Sequence, residues 1–185
     1  MAEVGVAVVG LGHWGPNLLR IFDGLGALVA LCDVNTKTCA AHAARYPNAR
    51  AHDDFYGVLA DPVVDAVAIA TPAATHGDLA AQALQAGKHV FVEKPLCLDV
   101  SQGKALAEEA DRRGLALMVG HLLLYHPAFL ALKELVTKGT FGELRYIYSN
   151  RLSLGKIRHE ENALWSFAPH DISMILSLVG EMRSE

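Results

Sequence analysis

A glycine-rich segment near the start of the sequence has the spacing of a phosphate-binding turn. Residues 10–15 read Gly-Leu-Gly-His-Trp-Gly and follow a short apolar run. Between a strand and a helix, the first glycine allows a tight turn, the second lets the backbone approach a pyrophosphate, and the third lets helix and strand pack closely. The helix start adds N–H donors and a positive dipole end. We therefore predict dinucleotide binding by Gly10, Gly12, His13, Trp14 and Gly15.

An acidic residue follows at the end of the second predicted strand. Asp33 lies eighteen positions after Gly15. Its carboxylate can accept hydrogen bonds from both ribose hydroxyls and would repel a 2′-phosphate, so the residue favours NAD over NADP. Methyltransferases that bind S-adenosylmethionine use similar glycines and an acidic ribose ligand, and from these residues alone they stay an alternative.

A lysine stands at the end of the fifth predicted strand, in Glu93-Lys94-Pro95. Ligands of a doubly wound sheet bind outside the carboxyl ends of its strands, so we expect Lys94 to project into the cofactor crevice. There it could hydrogen-bond a substrate hydroxyl and stabilise the alkoxide that forms as hydride leaves. The alternative is an exposed lysine in a loop before a helix.

The elements that must position these residues alternate regularly up to about residue 120. Short apolar runs predict strands at 4–9, 27–32, 49–52, 66–70, 89–92 and 115–119. The stretches between them predict helices near 15–23, 36–46, 54–60, 75–86 and 99–113. This alternation predicts an α/β fold, a Rossmann-type doubly wound parallel sheet with right-handed crossovers.

Helix ends in this region carry chemical markers. Two pairs have the spacing of N-terminal capping boxes, Thr75 with Asp78 and Asp99 with Gln102. Three glycines stand where a helix needs a left-handed C-terminal residue: Gly24, Gly87 and Gly114.

The pattern changes after Gly120. We predict a helix over 126–138, one long strand over 143–154 and a helix over 169–179. One strand and two helices are too little for an independent sheet domain. We therefore predict a nucleotide-binding domain over 1–120 and an incomplete open-sheet α/β domain over 121–185. We favour a fragment over a strand that completes its sheet with another chain.

Composition excludes several classes of protein. Apolar residues make up 52% and charged residues 19%, which excludes intrinsic disorder. Sixteen basic against twenty acidic residues give a net charge of −4, so we expect no nucleic-acid partner. The sequence has no apolar stretch of membrane-spanning length and no signal peptide. Three cysteines without metal-ligand spacing suggest a reducing cytoplasm, and we predict no metal.

Together these motifs resemble the Gfo/Idh/MocA family of sugar and cyclitol oxidoreductases. The resemblance rests on residues 10–17, Ala70-Thr71-Pro72 with His76, Glu93-Lys94-Pro95, Gly120-His121 with Tyr125-His126-Pro127, and Phe167-Ala168-Pro169-His170-Asp171. It implies an NAD(P)-dependent dehydrogenase that acts on CH–OH groups and forms a homodimer or tetramer through an open sheet. Its Lys-Pro peptide bond is commonly cis.

The resemblance also implies roles for single residues. Lys94 matches the lysine that contacts the reacting hydroxyl, and His170 matches the histidine that takes its proton. Because we place His170 at a helix start, we expect the dipole there to favour its neutral form. Many family members carry an aspartate where this sequence has Ser166, which leaves the partner of His170 open. Further cofactor-binding residues are Thr71, Pro72, His76 and Glu93, and His121 is a further candidate for substrate contact.

Three cations between the predicted strand and His170 bear on the substrate. Arg151, Lys156 and Arg158 could bind a carboxylate or diphosphate, or pair with acidic neighbours on a solvated loop. This stretch resembles family members that oxidise the 3-hydroxyl of nucleotide-sugar uronates. We therefore predict a sugar or nucleotide-sugar substrate. The alternatives are an inositol or free sugar, or a non-catalytic or truncated NAD-binding protein, and from the fragment alone we expect cofactor binding without catalysis.

Overall fold

The computed structural model describes residues 4–150 and 163–180 of the 185-residue chain. Two compact units divide after Gly120. The first unit contains the sheet, and the second contains helices in its described part.

Six parallel strands form the sheet of the first unit, in the order β3-β2-β1-β4-β5-β6. They are β1 (Val6–Val9), β2 (Leu28–Cys32), β3 (Arg50–His52), β4 (Ala66–Ile69), β5 (His89–Val92) and β6 (Leu117–Val119). The order reverses at β1, which pairs with both β2 and β4. Sheets of this order bind ligands at that reversal, outside the carboxyl ends of the strands. The predicted doubly wound parallel sheet is confirmed.

Five helices cover the two faces of this sheet. They are α1 (Gly15–Gly24), α2 (Thr36–Ala43), α3 (Phe55–Ala60), α4 (Ala73–Gln85) and α5 (Val100–Arg113). Alternate strand residues separate into two apolar clusters: Ala7 and Val9 pack with residues of α3, α4 and α5, whereas Val6 and Val8 pack with residues of α1 and α2. The strands are therefore buried on both faces, as is typical of a parallel sheet between helix layers.

The expected helix caps are confirmed in part. The Asp99 carboxylate accepts a hydrogen bond from the backbone N–H of Gln102 at 2.8 Å and caps α5. Gly87 and Gly114 have φ angles of 77° and 66°, in the left-handed region. Gly24 does not: α1 ends at Gly24, and the left-handed residue is Gly26 with φ 70°. The left-handed residue that follows α1 is therefore two positions later than predicted.

The Thr75 capping box was a wrong prediction. Helix α4 begins at Ala73, because its N-cap residue, Pro72, has an extended backbone with φ −60° and ψ 142°. Thr75 therefore lies inside the first turn, where its hydroxyl donates to the Pro72 carbonyl at 2.8 Å. The side chain of Gln102 also departs from the capping-box pattern, because it donates to the carboxylate of Asp78 on α4 at 2.8 Å.

The second unit contains a 3₁₀ turn and two helices in its described part. The turn spans Leu122–Tyr125, and the helices are α6 (Pro127–Thr137) and α7 (Ala163–Val179). The prediction of a helix over 126–138 is confirmed. The prediction of a strand is wrong for residues 143–150, which pair with no strand in the described chain and are mostly exposed. Residues 151–154 of that predicted strand lie outside the described residues.

Helix α7 begins earlier than the sequence indicated. We predicted its start at Pro169, a residue type common in the first turn of a helix. The helix instead includes Pro169 in its interior, six residues after its first residue, Ala163. A proline inside a helix has a compatible φ and removes one backbone hydrogen bond, so its presence does not require a helix start.

None of the helices in the described part of the chain is long and apolar enough to cross a membrane.

Candidate functional site

The three glycines of the turn after β1 meet three different surroundings. Gly10 has a φ of 87°, and a Cβ atom there would lie 2.7 Å from the backbone nitrogen of Thr71. A Cβ on Gly15 would lie 2.0 Å from the Gly10 carbonyl oxygen. A Cβ on Gly12 would meet no atom within 4 Å. The fold therefore requires the first and third glycines, whereas the second leaves open space beside the backbone.

The start of α1 adjoins this open space. Its N-cap residue, Trp14, makes no side-chain capping hydrogen bond, and the first turn contains no acidic residue. The first N–H groups of a helix and its positive dipole end attract an anion, and a pyrophosphate carries that charge. His13 and Trp14 are exposed beside it. The turn and the helix start together fit the phosphates of a dinucleotide.

Asp33 lies at the end of β2 and holds the neighbouring backbone. Its Oδ2 atom accepts a hydrogen bond from the N–H of Leu11 at 2.7 Å, and its Oδ1 accepts one from the N–H of Asn35 at 2.8 Å. Asn35 in turn caps α2 through the N–H groups of Lys37 and Thr38. A carboxylate oxygen can accept more than one hydrogen bond, so both oxygens keep capacity for ribose hydroxyls.

The loop after β4 carries Thr71 and Pro72, and His76 follows on α4. The hydroxyls of Thr71 and Thr75 lie 2.7 Å apart. Pro72 is exposed, and Thr71 is half-buried. His76 is 2% exposed, and both of its ring nitrogens lie against carbonyl oxygens of Thr71 and Pro95. His76 is thus buried against the backbone of the loop, whereas Pro72 is exposed to solvent.

The loop after β5 carries Glu93-Lys94-Pro95, with a cis peptide bond between Lys94 and Pro95. Burial raises the pKa of Glu93, and hydrogen bonds from the Lys94 backbone and the Trp14 side chain oppose that effect. A Cβ on Gly120 would lie 3.0 Å from Glu93 Oε2. The Glu93 carboxyl group therefore connects the glycine turn to the end of β6. Lys94 is half-buried beside it.

Sequence reasoning identified Glu93 and Trp14 separately but missed the hydrogen bond between them. Gly120 was read only as part of a motif, and its close approach to Glu93 was also missed. No spacing rule reveals either contact, because each joins residues that follow different strands of the sheet. The one indication in the sequence was that these residues all follow the carboxyl ends of predicted strands.

The second unit brings His121 and His170 together. Their rings are edge to face, with centroids 6.4 Å apart and an angle of 84° between the planes. His170 lies in the interior of α7, so the prediction that it sits at a helix start is wrong, and the helix dipole gives no reason for a neutral imidazole there. The neighbouring Asp171 carboxylate accepts a hydrogen bond from the Ser149 hydroxyl at 3.0 Å.

The structure does not describe all of the predicted site residues. Arg151, Lys156 and Arg158 lie outside the described residues, and so does the side chain of Ser166. Within residues 4–150 and 163–180, no group of three or more histidine, cysteine, aspartate or glutamate residues could hold a metal ion.

Comparison with known proteins identifies the family. Residues 4–121 match the model of the Gfo/Idh/MocA oxidoreductase family, described as an NAD-binding Rossmann fold. The chain belongs to this family, and NAD is its cofactor type. The alternative of a methyltransferase is thereby excluded, and the resemblance noted from the motifs is confirmed.

Several relatives are similar over nearly the whole chain. UDP-N-acetylglucosamine 3-dehydrogenase from Acidithiobacillus ferrooxidans is 34% identical over 181 residues, which cover 97% of this chain and 56% of the relative. A solved structure of that enzyme, GnnA, from the same species has a TM-score of 0.88 and 33% identity, and the match covers 100% of this chain and 60% of that one. The NAD-dependent scyllo-inositol 2-dehydrogenase from Bacillus subtilis is 32% identical, with 96% and 54% covered.

A fourth match is a complex. The WlbA dehydrogenase from Bordetella pertussis, solved with NADH and UDP-GlcNAcA, has a TM-score of 0.71 and 29% identity, and the match covers 76% of this chain and 44% of that one. The chain thus spans about half the length of the relatives that it matches.

Proposed function

We propose that the chain is the nucleotide-binding part of an NAD-dependent dehydrogenase that oxidises a secondary hydroxyl of a sugar. The observation that carries this proposal is the glycine turn, in which Gly12 leaves open space at the start of α1 while Asp33 stands at the neighbouring strand end. In this proposal residues 1–120 bind the cofactor. Residues 121–185 begin the domain that binds substrate and forms a dimer or tetramer.

NAD, when bound, accepts the hydride. The chain's own residues then handle the hydroxyl and its proton. We assign to Lys94 a hydrogen bond to the reacting oxygen, which stabilises negative charge on it as the proton leaves. We assign to His170 the acceptance of that proton, because neutral imidazole is a good general base close to neutral pH.

The remaining cofactor contacts follow the two loops of the site. Thr71 and Pro72 follow β4, while Glu93 and Lys94 follow β5, and the two strands are neighbours in the sheet. Because the carboxyl ends of parallel strands meet at one edge, both loops border the position expected for the nicotinamide. His13 and Trp14 would flank the phosphates.

For the substrate we propose a nucleotide-sugar uronate. One relative is named for a nucleotide sugar, UDP-N-acetylglucosamine, and another was solved with the nucleotide-sugar uronate UDP-GlcNAcA, which supports the uronate. Arg151, Lys156 and Arg158 supply cations suited to a carboxylate or a diphosphate. His121 would contact the same substrate.

A second candidate is an inositol. The similarity to an NAD-dependent scyllo-inositol 2-dehydrogenase extends over 96% of the chain. An inositol carries neither a carboxylate nor a diphosphate, so it would leave the three cations without a ligand role.

We also propose that the protein acts in the cytoplasm. Cys32, Cys39 and Cys97 are free thiols in the structure, and such thiols persist in a reducing compartment.

A substrate screen tests the proposed function. The natural protein that carries these 185 residues is mixed with NAD and with UDP-GlcNAcA, UDP-N-acetylglucosamine, free sugars or inositols, and the absorbance of reduced nicotinamide is followed. We expect the uronate to give the highest kcat/KM. Turnover with inositol alone would favour the second candidate. An absence of turnover with every hydroxyl substrate would contradict the proposal and favour a non-catalytic NAD-binding protein.

A further inference from the structure

His76 lies between the two loops of the candidate site. Its Nδ1 is 2.7 Å from the Pro95 carbonyl oxygen, in the loop after β5. Its Nε2 is 2.8 Å from the Thr71 carbonyl oxygen, in the loop after β4. The side chain is 2% exposed, and its contact with Pro95 is buried, whereas its contact with Thr71 is partly buried.

The two contacts limit how protons can be arranged on the ring. A carbonyl oxygen only accepts hydrogen bonds, and a neutral imidazole has a single N–H to donate. With a neutral ring, one carbonyl oxygen would face a nitrogen lone pair at hydrogen-bond distance and would receive no proton from the ring. A polar group that lacks a hydrogen-bond partner in the folded state destabilises that state. Two hydrogen bonds are formed only if both ring nitrogens carry a proton.

An acidic group near His76 suits a charged ring. Burial raises the pKa of Glu93, and attraction to His76 is one of the smaller effects that oppose this rise. Other charged groups on the elements around the ring are Lys94, next to Glu93, Asp78 on α4, and Asp99 at the start of α5. The Asp78 carboxylate accepts a hydrogen bond from Gln102.

The start of α4 is itself fixed in place. A Cβ on Gly77 would lie 2.1 Å from the Gln102 Oε1 atom, so the side chain of Gln102 covers the backbone next to His76. The same side chain donates to Asp78, which ties α4 to α5. His76 is therefore held by its own helix and can act as a fixed support for the loops.

We propose that His76 is a positioning residue that, as an imidazolium ion, donates one hydrogen bond to the Thr71 carbonyl and one to the Pro95 carbonyl. It thereby holds the loop that carries Lys94 at a set distance from the loop that carries Thr71 and Pro72. In this role His76 acts through the two loops, and the consequence for turnover rests on the proposed role of Lys94.

The proton count is tested by nitrogen NMR of the 185-residue chain labelled with ¹⁵N-histidine. The signals of His76 are identified by their loss in His76→Phe or, if that variant does not fold, in His76→Gln. We expect both ring nitrogens of His76 to be protonated at neutral pH in the absence of cofactor and substrate. A neutral ring, with one nitrogen unprotonated, would overturn the proposal. Because this readout needs no turnover, it is independent of the proposed function.

The positioning role is tested by kinetics of the natural protein. Since a misplacement of about 1 Å can cost on the order of a hundredfold in rate, we expect His76→Phe to lower kcat by at least about tenfold. We expect the Kd for NAD to change by less than about threefold, and His76→Gln, which keeps a donor for one carbonyl, to recover part of kcat.

A matched control separates positioning from simple loss of stability. Val58→Ala removes buried methyl groups from α3, and Val58 is 0% exposed. We expect this variant to lower the thermal midpoint and leave kcat unchanged. If His76→Phe or His76→Gln lowers the midpoint in the same way and also leaves kcat unchanged, the positioning role is wrong. An inactive wild-type protein would contradict the proposed function, and the NMR result would still decide the proton count.

Discussion

The backbone N–H of Leu11 donates a hydrogen bond to Asp33 Oδ2 at 2.7 Å. This bond joins the glycine turn after β1 to the end of β2, across 22 positions of sequence. Asp33 is therefore part of the turn's structure as well as a candidate ligand of the ribose. A substitution at Asp33 should change both the shape of the turn and its choice of cofactor.

The glycines of the turn should separate folding from cofactor binding. We expect Gly12→Ala to leave the thermal midpoint nearly unchanged, because a Cβ there meets no atom within 4 Å. Its methyl group would stand where the pyrophosphate approaches the backbone, so the affinity for NAD should fall by at least about tenfold. Calorimetry and thermal melts on the same samples measure both quantities.

Two other glycine substitutions serve as controls for Gly12→Ala. Gly24→Ala at the end of α1 also meets open space and should lower neither the thermal midpoint nor the affinity for NAD. Gly15→Ala should lower the thermal midpoint, since its Cβ would lie 2.0 Å from the Gly10 carbonyl oxygen. Wild-type NAD affinity in Gly12→Ala would show that the pyrophosphate does not approach this backbone.

Lys94→Ala should affect turnover more than cofactor binding. The lysine is proposed to act on the reacting hydroxyl, and loss of such a group typically costs on the order of a hundredfold in kcat. The Kd for NAD should change by only a few-fold. Steady-state kinetics of the natural protein, with fluorescence titration of NADH, measure the two effects.

Lys104→Ala provides the matched control for Lys94→Ala. Lys104 is exposed on α5 and carries the same charge, so its removal should leave kcat and the Kd for NAD unchanged. If Lys94→Ala behaves like Lys104→Ala, Lys94 is an ordinary surface lysine.

The paired histidines should differ in their effect on the pH profile. A general base accepts a proton only when it is neutral, so oxidation should slow as the solution is acidified. We expect His170→Asn to lower kcat and to remove this acidic decline. His121→Asn should alter the ring contact, 6.4 Å between centroids, and keep the decline. A decline that persists in His170→Asn and vanishes in His121→Asn would assign the base to His121.

The first unit should lose stability in acid as Asp61 becomes protonated. Burial alone would raise its pKa, but hydrogen bonds from the Val63 N–H and from His52, with the charge of Arg50, hold the pKa below its ordinary value. The Arg50 contact is 2.8 Å and the His52 contact 3.2 Å. Because the folded state resists protonation, this stabilisation is present above the ordinary carboxyl pKa and is lost as pH falls through the lowered value.

Urea denaturation at neutral and acidic pH measures the contribution of Asp61. Asp61→Asn should be less stable than wild type at neutral pH, and the difference should shrink on acidification. Asp53→Asn, at an exposed position on the loop after β3, should show little difference at either pH. A difference for Asp61→Asn that is the same at both pH values would contradict this expectation.

The first unit was predictable because its signals are local and repeated. Runs such as Val67-Ala68-Ile69 are apolar on both faces, and the structure buries all three residues in a central strand. Glycines and strand lengths then determine where the turn after β1 falls. The start of α4 escaped prediction because Thr75 resembles a cap, whereas Pro72 sets the boundary.

The second unit was less predictable because its elements depend on distant partners. Residues 143–150 alternate like a strand, but a strand forms only against a neighbour, and the described chain supplies none. Pro169 suggested a helix start because proline is frequent there, yet the residues before it continue the helix. The contact between His121 and His170 depends on how that helix packs, which sequence spacing does not reveal.

The affinities of the chain for NAD and NADP test the central claim most directly. Calorimetric titrations compare wild type, Asp33→Ala and the control Asp53→Ala, which removes the same charge from an exposed position. We predict that wild type and Asp53→Ala bind NAD at least about tenfold more tightly than NADP, a difference of about 1.4 kcal/mol. We predict that Asp33→Ala loses this preference. Equal affinities in wild type, or a preference that Asp33→Ala leaves unchanged, would contradict the account.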